Sequence, residues 1–205
     1  MRNLRSFHLT FLIAFLCSCG SAAQDQNLSA GVFYDKLAAT SLELTKDHVV
    51  YDPSYFSIEY PGGDVPANKG VCTDVVIRAY RKLGIDLQQL VHEDMKANFS
   101  IYPAKWGLRK PDSNIDHRRV LNLMKFFSRF GEELDISETA LNYLPGDIVC
   151  WNLGGGITHI GMVSNLKSSD KMRFKIVHNI GAGQVLEDCL FNFKIIGHYR
   201  YSANN

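Results

Sequence analysis

Cys72, His159 and His178 are the residues of this 205-residue chain whose types and order suit covalent chemistry. A cysteine attacks as its thiolate, and a neighbouring imidazole can take the thiol proton and later give it to a leaving group. A third polar side chain that holds the imidazole completes such a site. Cys72 stands where a segment rich in Pro and Gly gives way to Val71, Val75, Ala79 and Leu83, spaced as on one helix face. A cysteine at a helix N-terminus gains from the partial positive charge there, which favours the thiolate. The chemistry these residues suit is attack on an acyl carbon.

The elements that must position them can be read from the pattern. Helices are predicted over 30–46, from Cys72 to a stop at Gly84, over 87–97, and over 115–130 with Gly131 as the stop. Short segments rich in β-branched and aromatic residues then predict strands over 148–151, 157–163, 174–179, 185–187 and 193–201. Helices followed by strands imply an α+β domain with an antiparallel sheet covered on one side. Cys72 shares a helix side with Val76, Ala79 and Leu83 and is expected to face that sheet. Alternation puts His159, Gly161 and Val163 on one strand face, and Ile176 and His178 on one face of the next. Pairing of the two strands would set His159 beside His178, beneath the helix end that carries Cys72. His159 is then the base, His178 the residue that orients it, and Gly161 leaves room for substrate. Asn179 is the rival third residue, because Cys-His-Asn sites exist, but strand parity favours His178.

The N-terminus predicts export. Arg2 and Arg5 precede the apolar run from Phe11 to Cys17, and Ser21-Ala22-Ala23 offers small residues for cleavage, so residues 1–23 read as a signal peptide. The run is shorter than the ~20 apolar residues of a membrane span. Leu16-Cys17-Ser18-Cys19 also resembles a lipobox with Cys19 as a lipid anchor, so the expected location is periplasmic or secreted, with an outer-membrane lipoprotein as the alternative. Residues 24–205 then form a single domain. The 22 Lys and Arg balance 21 Asp and Glu, which gives no electrostatic reason to expect nucleic acid as a partner. Of Cys72, Cys150 and Cys189 at least one must lack an internal partner, and a Cys150–Cys189 disulfide is one arrangement. No CxxC or HxxxH pair supplies zinc-ligand spacing, so no metal is expected, and no cofactor.

Two further motifs stand out. Asp116-His117-Arg118-Arg119 places basic side chains in a predicted first helical turn, against the helix dipole. Either Arg118 and Arg119 hold a substrate carboxylate, with Asp116 capping, or they pair with protein acids. Gly154-Gly155-Gly156 lacks the Lys-Ser/Thr of a phosphate loop and reads as a hairpin connection.

The order of a helix-start Cys72, Pro145-Gly146-Asp147-Ile148-Val149, His159-Ile160-Gly161-Met162-Val163 and Val177-His178-Asn179 resembles the NlpC-type cell-wall peptidases, a branch of the papain-like superfamily. That resemblance implies a papain-like fold with helices on an antiparallel sheet, and a Cys-His-His apparatus at Cys72, His159 and His178. More narrowly, Tyr60-Pro61-Gly62-Gly63-Asp64, Gly70 to Asp74 and Asn114 to Arg119 resemble the bacterial domain-of-unknown-function family 1287, from about Tyr34 to Tyr201. The chain departs from the NlpC pattern at Val71, where many of those enzymes carry an acid; Asp74 or Asp64 is the candidate replacement. The resulting expectation is a cysteine peptidase or amidase acting on peptidoglycan or its peptide fragments. Two other classes stay open: a non-catalytic wall-fragment or protein-binding module, and a cysteine acyltransferase or thioesterase.

Overall fold

The computed structural model describes residues 19–203. The charged and apolar parts of the expected export signal, Arg2 to Cys17, lie outside the described residues. Helix α1 spans Cys19–Leu44, starting earlier than its apolar spacing suggests. A short parallel pair follows, β1 (Val50–Tyr51) with β2 (Lys69–Gly70). Then come α2 (Cys72–Lys82), α3 (Leu87–Asn98) and α4 (Val120–Phe130). The strands β3 (Glu132–Glu133), β4 (Ile148–Asn152), β5 (Thr158–Lys167), β6 (Phe174–His178), β7 (Val185–Glu187) and β8 (Lys194–Arg200) complete the chain. They form one six-stranded sheet in the order β3-β8-β4-β5-β6-β7, with every pairing antiparallel. The protein is therefore α+β.

The sheet is covered on both faces, where the sequence suggests one. Ile148, Cys150, Ile160, Met162 and Val177 join Cys72, Val76 and Tyr80 in the core beneath the helices. The alternate residues Val149, Trp151, Val163 and Ile176 pack with Tyr143, Cys189 and Leu190 on the far face. The chain segments around Tyr143 and Leu190 supply that second cover, and neither has a helical or strand periodicity to announce it. The same division rules out a Cys150–Cys189 disulfide: the two sulfurs lie on opposite sides of β4, and Cys72, Cys150 and Cys189 are all free thiols.

Local chemistry sets the elements nearest the site. Val71 is extended (φ −124°, ψ −173°), and the Asp74 carboxylate accepts its backbone N–H at 2.7 Å, which caps α2 from within its first turn. Arg81 and Lys82 in the last turn suit the helix dipole. Gly84, at φ +79°, ends the segment in a conformation that favours glycine. The three glycines of the β4–β5 connection also have positive φ (101°, 58° and 79°), as a tight hairpin needs. Residues 116–118 form a separate 3-10 turn and α4 begins only at Val120, so the motif Asp116 to Arg119 is not the first turn of a helix.

Candidate active site

Cys72 is the first residue of α2 and is largely buried, at the floor of a groove lined by Tyr51, Trp106, Arg118, Arg119 and Thr158. Burial pushes its thiol up to about 11; the Ile160 N–H opposes that shift, Asp74 adds to it, and the N–H groups of Thr73 and Cys72 itself oppose it. The sulfur is thus next to the peptide that follows His159 in β5. Asn179 binds the approach to the helix: its Nδ2 donates to the Gly70 carbonyl at 3.2 Å, and its Oδ1 accepts from Gly181. Asn179 therefore fixes the loop before Cys72, and among the described residues no hydrogen bond joins it to His159.

His159 and His178 are side by side, Nε2 to Nδ1 at 2.9 Å, with their rings edge to face. Their position differs from the one expected. Ile160 and Met162 face the helices, so His159 points to the other face, against Trp151 at 5.7 Å between ring centroids. The two imidazoles consequently lie across the sheet from α2, not beneath it. Both stand at one end of their strands, His159 second in β5 and His178 last in β6. Among the described residues no hydrogen bond joins Cys72 to a histidine.

His178 Nε2 is 3.0 Å from Glu187 Oε2 on β7. An ionised carboxylate only accepts, so His178 donates from Nε2 and accepts at Nδ1. His159 must then donate from Nε2, which leaves its Nδ1 as a lone-pair base. Glu187 thereby sets the tautomer of both rings. The sequence reading missed it, although alternation from Val185, the partner of His178, puts Glu187 on the histidine face. Burial holds His159 down to about 3, with His178 adding to the effect; burial also lowers His178, against the pull of Glu187. Both rings are neutral near pH 7.

Gly161 serves the strands and not the substrate. A Cβ there would meet Ile176 Cγ2 at 2.8 Å and His178 Cβ at 3.0 Å. Gly161→Ala is expected to cost about 1–3 kcal/mol by overpacking and to push His178 off His159, measurable by urea unfolding and histidine NMR.

The other candidate residues separate clearly. Asp74 holds Arg118 through two bonds, 2.9 and 3.0 Å, with both side chains buried; Arg118 also donates to the Ser54 carbonyl. Asp64 pairs with Arg78 at 3.0 Å and Arg81 at 2.8 Å. Neither acid is available to stand in for the missing acid at Val71. Asp116 is fully buried, accepting from the Asp112 N–H at 2.7 Å and facing His92 Nδ1 at 3.0 Å, so it is structural. Arg119 alone of this set lines the groove without an ion-pair partner among the described residues. Its guanidinium stacks on Trp106, 4.3 Å from the ring centroid, and burial lowers its pKa.

The buried His117 is held down to about 3 by burial first, then by Arg118, Arg81 and His92. His159 behaves alike. An unfolded histidine titrates near 6.5, so between about 6.5 and 3 the unfolded chain binds more protons and stability falls as pH falls. Denaturant midpoints are expected to drop across that window, and His117→Gln should make the slope shallower.

Comparison with known proteins assigns the chain. Residues 38–201 match the family described as "Domain of unknown function (DUF1287)". The chain belongs to this family. A DUF1287 relative from Escherichia coli (strain K12), "Uncharacterized protein YijF", is 55% identical over 151 residues, covering 74% of this chain and 73% of the relative. The match to DUF1287 takes in Cys72, His159, His178 and Glu187 together, so the whole candidate site falls within the family's domain.

Proposed function

We propose that this chain is an exported cysteine hydrolase of papain-like, NlpC type that cleaves an amide bond in peptidoglycan stem peptides. The observation that carries the reading is the hydrogen-bonded file Glu187–His178–His159, which leaves an unprotonated Nδ1 on His159, the residue before the Ile160 N–H that faces the Cys72 sulfur. Because His159 and Cys72 lie on opposite faces of the sheet, the Cys72 proton passes to His159 through a water at the end of β5 as the sulfur attacks the carbonyl carbon, and then to the leaving amine. The Ile160 N–H and the N–H groups at the start of α2 suit the developing negative charge. Water releases the acyl group from sulfur. Arg119 suits the carboxylate of a stem peptide: it is a half-buried cation on an aromatic platform, beside a helix start that lacks a side-chain cap.

Cys189 is a thiol in contact with an imidazole, 3.5 Å from His178 Nε2. It is less suited to attack, since it packs in the apolar cluster with Leu190 and Trp151, and burial, then Glu187 and Asp188, push it up to about 12.

The test is incubation of purified peptidoglycan and its soluble fragments with the protein, read by mass. Cleavage that Cys72→Ala abolishes is expected, and Arg119→Glu should raise KM about ten-fold or more with little change in kcat. Absence of Cys72-dependent products would remove the wall substrate and favour a binding role or acyl transfer.

A further inference from the structure

We propose that His178 Nε2, Glu187 Oε2 and Cys189 Sγ form a binding site for zinc or a similar divalent transition metal, and that the bound ion switches the Cys72 site off. The three ligand atoms lie within 4.8 Å of one another, with His178 Nε2 3.0 Å from Glu187 Oε2 and 3.5 Å from Cys189 Sγ. Zinc bonds of about 2.0–2.3 Å in a tetrahedron separate ligand atoms by roughly 3.3–3.7 Å, so small side-chain shifts close the site. A thiolate, an imidazole and a carboxylate suit zinc or cobalt and not magnesium or calcium. His178 and Cys189 are buried while Glu187 is 48% exposed on its side chain, which gives the ion a way in and leaves a fourth position for water. No short sequence spacing marks the set, because β6 and β7 must pair before its members meet.

The switch follows from the tautomers and rests on the function proposed above. With the ion on Nε2, a neutral His178 must carry its proton on Nδ1 and donate it to His159 Nε2. His159 then holds its own proton on Nδ1, and the lone pair that would accept the Cys72 proton is gone. The Cys189 thiol proton and the His178 Nε2 proton leave, His159 gains one at Nδ1, and one proton is released overall.

Two measurements separate the site from the switch. The full chain carrying Cys72→Ala is titrated with Co²⁺ and with Zn²⁺. One ion per chain is expected, with a near-ultraviolet sulfur-to-cobalt band that C189S removes and with affinity at least ten-fold weaker in E187Q. No binding, or a band that survives C189S, overturns the site. With Cys72 intact, Zn²⁺ should slow alkylation of Cys72 about ten-fold or more, and C189S should abolish that effect. Binding that leaves the alkylation rate unchanged overturns the switch. Cobalt binding together with a metal-free protein that never cleaves wall peptides overturns the hydrolase reading and leaves the metal site standing.

Discussion

Cys72→Ala and His159→Ala are each expected to lower kcat/KM on a cleaved wall peptide by at least about a thousand-fold, with little further loss in the double variant, because the two act as one unit. The same site predicts an unusual pH response. Burial pushes the thiol up to about 11 and His159 down to about 3, so the two groups at rest are a neutral thiol and a neutral imidazole. Proton transfer then accompanies attack instead of preceding it. With His159 unprotonated throughout, kcat/KM should change little from about pH 5 to 8. Alkylation of Cys72 in the free protein should inflect above the ~8.5 of an ordinary thiol. An inflection well below that value would mean a preformed thiolate–imidazolium pair and would sink this account.

Asp74→Asn is expected to destabilise the fold by about 3–5 kcal/mol. It leaves the Arg118 guanidinium buried without its counter-charge and weakens the bond to the Val71 N–H. The damage should reach the site, since Arg118 and Val71 border the Cys72 groove and Thr73 Oγ1 donates to the Arg118 carbonyl. Urea unfolding gives the magnitude, and Arg118→Met on the Asp74→Asn background should recover part of the loss by removing the orphaned charge. A loss under about 1 kcal/mol would show that water reaches the pair and that it does not organise the groove.

Much of the framework was legible because local patterns govern it. The helix starting at Cys72, α3, and all five strands from Ile148 onward follow from apolar spacing and turn residues, to within a few positions. The adjacency of His159 and His178 followed from alternation along two neighbouring strands. Residues 116–118 were harder, because a 3-10 turn and a helix start share their composition; what separates them is the buried Asp116, bonded to the Asp112 N–H and to His92, which no spacing reveals.

Residue types and their order determined the α+β class, the helix start at Cys72 and the pairing of two imidazoles, since each depends on contacts near in sequence or on strand periodicity. Which face of the sheet the imidazoles occupy was decided by the tertiary structure, because periodicity says which residues share a side but not which side the helices cover. Packing likewise spent Arg118 on Asp74 and Asp64 on Arg78 while leaving Arg119 open, and a charge in a sequence carries no sign of its partner. The joining of His178, Glu187 and Cys189 belongs to the same level. It exists only once β7 has closed onto β6.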